Sequence, residues 1–198
     1  VKDMWKRNAD KACTLGTVVH EYGEMWHHLL LGNPDDINNR FKIQLVDGYF
    51  YPVSPKQEAV AQFNEDLFNV DSMYSVLAET MVYNEELGYA GTFDKLVYYK
   101  HPTDDSKSGL VIMDYKTNGS LYNEYNETNG IHMLKPFDYL TDCAYSHYII
   151  QQSLYQIPIE RLGYKVLARK LIWLKPDGIY EKINCPDVTK LLIETLKK

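Results

Sequence analysis

Residues 110–117 read Leu-Val-Ile-Met-Asp-Tyr-Lys-Thr. Four apolar residues in a row, stopped by a charge, do not suit a strand with one wet face, because such a strand alternates. A continuous run of this length reads as a central strand with apolar layers on both sides. Helices on both faces of a sheet supply those layers, so the run predicts an α/β protein. The chain has 198 residues, 45% of them hydrophobic. That is enough for one domain around a single sizeable core.

The rest of the chain supplies the layers. Residues 1–12 read as a polar helix end. From Leu15 to Gly32, apolar residues recur at helical spacing, with Thr17 as N-cap and Gly32 and Pro34 as stops. Residues 33–41 read as a loop. Residues 55–67 alternate like an amphipathic helix. Residues 72–84 and 89–99 are rich in β-branched and aromatic residues and read as strands joined by a turn. Residues 101–109 are rich in turn-formers and lead into the central strand. Residues 118–135 are polar and rich in Gly and Asn, and read as a mobile loop beside a site. A long helix follows over residues 142–163, with Pro158 expected to kink its last turn. Residues 165–174 read as a strand, 179–185 as a short strand, and 187–198 as a closing helix. The expected architecture is a central mixed β-sheet flanked by helices.

The chemistry gathers where the apolar runs end. Asp94 and Asp114 close two neighbouring strands, and a hairpin brings them together. Two ionised carboxylates side by side repel, and a hard divalent cation relieves that cost. Side chains two apart on a strand share a face, so Asp114 and Lys116 point one way and Tyr115 the other. A cation held there would polarise a phosphate and activate water, with Lys116 orienting the water or stabilising the developing charge. Taken alone, Asp-x-Lys is a short pattern that surface ion pairs also produce.

Five segments give the pattern its weight: GTVVHEYGE (residues 16–24), AET (78–80), AGTFD (90–94), MDYKT (113–117) and QQSLY (151–155). Together, and in this order, they resemble the PD-(D/E)XK nuclease superfamily, and within it the RecB-like exonuclease branch. The resemblance spans roughly residues 5–174 and is nearest to the versions carried by bacteriophages and mobile elements. It implies a restriction-endonuclease-like core and a Mg²⁺- or Mn²⁺-dependent deoxyribonuclease. The implied activity is an exonuclease serving recombination, repair or replication of phage or mobile-element DNA. His20, Asp94, Asp114 and the backbone carbonyl of Tyr115 resemble the metal ligands, and Lys116 the catalytic lysine. Glu79 resembles a glutamate that either binds a second metal or supports Lys116. Gln151 and Tyr155 match the QxxxY helix that lines the site and touches the DNA backbone. The partners implied are DNA ends, with a recombination or replication protein beside them. Asp replaces Glu in the second acidic position, and Gly-Thr-Phe precedes the first Asp. Gly-Thr-Phe is usual for this branch and the Asp is allowed, whereas Gln152 stands where many relatives carry an apolar residue.

Other readings of the same residues remain open. An endonuclease on DNA or RNA would use a similar His, acids and Lys. A catalytically inactive nuclease fold would bind nucleic acid or a partner without cutting. Glu24, one turn after His20, reads either as a partner for its ring or as a solvated charge. His27 and His28 match no motif position and read as packing or surface residues. Tyr98 and Tyr99 read as strand packing. Lys165, Arg169, Lys170 and Lys175 form either a basic strip for phosphates or a solvated face.

Composition trims the alternatives. A net charge of -6 argues against a protein that coats nucleic acid without specificity. Cys13, Cys143 and Cys185 are too few for a four-cysteine iron–sulfur cluster, so none is expected. They also lie too far apart for a disulfide framework or zinc site, and suit an intracellular protein. The chain shows no secretory leader and no apolar run able to span a membrane. Together these predict a cytoplasmic protein, in a bacterial host cell if phage-encoded. The first residue is Val, in a segment that already reads as helix. The reading is therefore a single nuclease domain over 1–198, trimmed at its start.

Overall fold

The computed structural model describes residues 2–30 and 54–197. A long helix α1 (Lys2–Leu30) is followed by α2 (Pro55–Phe68), then strands β1 (Met73–Asn84) and β2 (Tyr89–Tyr99). After a short 3₁₀ turn come β3 (Gly109–Lys116), a one-turn helix α3 (Glu124–Thr128) and α4 (Ala144–Arg161). Strands β4 (Val166–Leu174) and β5 (Tyr180–Cys185) and helix α5 (Thr189–Leu196) complete the chain. The expected loop over 33–41 and the stops at Gly32 and Pro34 lie outside the described residues.

The five strands form one sheet in the order β1-β2-β3-β4-β5. Neighbours run antiparallel except β3 and β4, which are parallel. The protein is therefore α/β, with a mixed five-stranded sheet flanked by helices. The parallel pair needs a crossover, and the segment containing α4 makes it. The apolar run of β3 is central, as its composition demands. Val111, Met113 and Tyr115 pack with Val19, Met25 and Phe63 of α1 and α2. Leu110 and Ile112 face the other way, against Tyr155 and Ile159 of α4.

One local expectation needs correction. Helix α1 runs unbroken through Gly16, so Thr17 is not an N-cap: its Oγ1 donates to the carbonyl of Cys13, 3.1 Å away, inside the helix. A single interior Gly costs only about 1 kcal/mol relative to Ala, too little to stop a helix this long. Helix α4 continues past Pro158 to Arg161. The carbonyl of Leu154, which Pro158 cannot serve, accepts from the Tyr89 hydroxyl at 2.7 Å. The segment after β3 carries the fully buried Leu121 and an isolated bridge between His132 and Thr141. No described helix is long and apolar enough to cross a membrane.

Candidate functional site

The site lies where β2 and β3 part. Their ladder pairs Lys95 with Met113, and one step further along the same register sets Asp94 beside Asp114. The backbone N–H of Tyr115 donates to Asp94 Oδ2 at 2.5 Å, where the ladder stops. On the other side, β1 pairs Ala78 with Lys95 and Thr80 with Phe93, which sets Glu79 beside Asp94. Three carboxylates thus stand in a row across three strands.

Helix α1 closes this row from one side. Val19 and Tyr22 are buried in the core, which turns His20 toward the strand ends. His20 Nδ1 donates to Asp94 Oδ1 at 2.9 Å and lies 3.7 Å from Glu79 Oε1. Donor atoms of His20, Glu79 and Asp94 all lie within 4.8 Å of one another. Helix α4 closes the other side. Lys116 Nζ is paired with Asp114 Oδ2 and donates to Gln151 Oε1 at 3.3 Å. Gln151 Nε2 in turn donates to the Tyr155 hydroxyl at 2.8 Å.

The electrostatics follow from burial and charge. Asp94 is pushed above the ordinary carboxylate range by burial and then by the charge of Asp114. Burial alone would lower His20, but Asp94 and Glu79 outweigh it and raise its pKa to about 10. Burial likewise works against the Lys116 ammonium, and Asp114 outweighs it, so the lysine is raised. His20 and Lys116 therefore supply the positive charge that the three carboxylates face. Glu79 Oε1 is buried without a hydrogen-bond partner among the described residues. Glu79 also sits at a φ of 42°, a left-handed conformation that costs a side-chain-bearing residue about 1–2 kcal/mol.

The residues expected from the sequence therefore converge, with differences in detail. The three clustered donors are His20, Glu79 and Asp94, while Asp114 turns to Lys116. Among the described residues the partners of Lys116 are Asp114, Gln151 and the ring of Tyr148, and Glu79 groups with His20 and Asp94. Tyr115 packs its ring into the core, where Asn64 Nδ2 donates to its hydroxyl at 3.0 Å. Its backbone stays at the site through the bond to Asp94. Tyr155 is only 6% exposed, so it holds Gln151 in place rather than presenting a surface to DNA. Glu24 approaches His28 Nε2, at 3.7 Å, and the ring of His20 is oriented by Asp94 instead. His27 is buried, with Nδ1 2.8 Å from Ser75 Oγ, and Tyr98 and Tyr99 pack on opposite faces of the sheet.

Of the four basic residues around β4, Arg169 does not face solvent. Arg169 is buried and bonded to the carbonyl of Cys185 and to Gln156. Lys165 donates to the carbonyl of Ser106, and Lys175 pairs with Glu181 at 2.7 Å.

Sequence reasoning passed over two contributors. Gly91 is one: a Cβ there would lie 2.6 Å from Tyr155 Cε1, so only glycine lets that ring reach its place. A glycine inside a strand pattern is the signal for such a close approach. Tyr148 is the other, one turn before Gln151 on the same face of α4, with its ring centroid 4.3 Å from Lys116 Nζ. Helical spacing from Gln151 and Tyr155 would have found it.

Fold and site together define an α/β protein with a partly buried, mixed-charge cluster of one imidazole, three carboxylates and a lysine at its strand ends. No protein-family model matches the chain, and no curated protein matches it either.

Proposed function

We propose that this protein is a metal-dependent nuclease that hydrolyses phosphodiester bonds in DNA, acting from ends as an exonuclease. The sheet and site support a restriction-endonuclease-like core of the RecB-like kind. The observation that carries the reading is the convergence of His20, Glu79 and Asp94 within 4.8 Å of one another, beside an Asp114–Lys116 pair. The donor set fits a hard divalent cation. It offers carboxylates and one imidazole, and Glu79 Oε1 is a buried acceptor with no hydrogen bond among the described residues. Mg²⁺ or Mn²⁺ suits such oxygen-rich ligands. His20, Glu79 and Asp94 would hold the ion, with Asp114 and the Tyr115 carbonyl close at hand on β3. A cation in this place supplies charge neutralisation for the phosphate and activation of water.

The chain's own groups do the rest. Asp114 keeps the Lys116 ammonium charged in a buried setting. Gln151, seated by Tyr155, fixes where that ammonium lies. Lys116 is thereby placed to donate to a phosphate oxygen as negative charge builds on it.

The test is cleavage of end-labelled linear DNA and closed circular DNA with Mg²⁺ or Mn²⁺, beside Lys116→Ala. Loss of linear DNA alone, abolished in the variant, is the expected result. Cutting of the circle would instead make it an endonuclease. Retained cutting by Lys116→Ala would refute this site.

A further inference from the structure

The Lys116 ammonium is held from three directions. Asp114 pairs with its charge, and Gln151 accepts one of its three N–H groups. The third side is covered by the face of Tyr148, with the nitrogen 4.3 Å from the ring centroid. That ring is itself fixed. The Tyr148 hydroxyl donates to Asn118 Oδ1 at 2.8 Å, and Trp173 Nε1 donates to the Asn118 carbonyl, also at 2.8 Å. Trp173 stands on β4 in register with Lys116. Helix α4, the residue two past Lys116 and the neighbouring strand thus converge to set one ring over one ammonium.

An aromatic face attracts a cation through its quadrupole and asks for no particular N–H direction. A further hydrogen-bond acceptor in that place would take up another N–H and hold it. The ring keeps the charge in place and leaves it free to turn a proton toward a phosphate.

We propose that Tyr148, braced by Asn118 and Trp173, is a positioning residue that seats Lys116 for catalysis. This rests on the nuclease reading above, because the kinetic effect requires cutting. The contact itself is tested without it.

The experiment compares the wild type, Tyr148→Phe, Tyr148→Leu and Asn118→Ala. In protein carrying ¹³C-labelled lysine, ring current should shift the Lys116 ε-protons upfield in the wild type and Tyr148→Phe. In Tyr148→Leu they should return to the ordinary lysine position. Under DNA-cutting conditions, Tyr148→Leu should lower kcat roughly tenfold, the order of a partly buried cation–π contact, with KM unchanged. Tyr148→Phe should keep most of kcat, and Asn118→Ala should fall between them. Unshifted ε-protons in the wild type would overturn the proposal. So would equal loss of kcat in Phe and Leu variants, or a change confined to KM. Should the wild type cut no DNA while the ring-current shift is present, the nuclease reading fails and the contact stands.

Discussion

Replacing Lys95 by methionine should stabilise the protein, by an amount that depends on pH. Lys95 is 1% exposed, and its Nζ has one partner among the described residues, Ser75 Oγ at 3.3 Å. The charged groups near it offer no help, since buried His27, facing the same serine, is pushed down to about 4 by burial and then by Lys95 itself. Burial lowers the pKa of Lys95 from 10.5 to about 7. For a base whose folded pKa is depressed, the unfolded chain binds the extra proton, so stability rises with pH between those two values. Below the folded pKa both states are charged and the penalty is constant. A shift from 10.5 to about 7 corresponds to a penalty of about 5 kcal/mol at about 1.4 kcal/mol per unit.

Methionine keeps most of the buried stem. Ser75 keeps its bond to His27, so the lost donor costs only about 1 kcal/mol. Lys95→Met should therefore gain about 4 kcal/mol at neutral pH. The gain should shrink steadily as pH rises toward the ordinary lysine value. Urea unfolding of both proteins at several pH values measures it. A variant less stable than the wild type at neutral pH would refute the reasoning. So would a difference that does not change with pH.

Glu79→Gly should raise stability by about 1 kcal/mol, by relieving the left-handed backbone, while abolishing the rise in melting temperature that Mn²⁺ should give the wild type by linkage. Thermal melts with and without Mn²⁺ check both halves. Tyr89→Phe should cost about 1–2 kcal/mol, because the Leu154 carbonyl beside Pro158 loses its donor, read by urea unfolding. Gly91→Ala should displace Tyr155 and, through Gln151, Lys116. DNA cutting should fall by at least tenfold, as expected when a reacting group moves by about an ångström, while the circular dichroism spectrum is kept.

Much of this protein was legible in its sequence, for reasons that are local. Period and composition mark β3 as buried, because an apolar run without alternation must face two layers. Alternation alone places Asp114 and Lys116 on one face and Tyr115 on the other. Helical spacing alone puts Gln151 and Tyr155 together. Pairwise distances across the chain were not legible. Only the register of β1 on β2 brings Glu79 to His20 and Asp94, leaving Asp114 to Lys116. Only the packing of α4 on β2 buries Tyr155 against Gly91 and converts it from a surface contact into a support. Arg169 shows the same limit: its charge reads as surface in the sequence, yet Gln156 and the Cys185 carbonyl draw it into the interior. The sequence by itself determined which residues share an element's face, since that follows from backbone periodicity. The tertiary structure decided which faces meet, since that depends on register and packing between segments far apart in the chain.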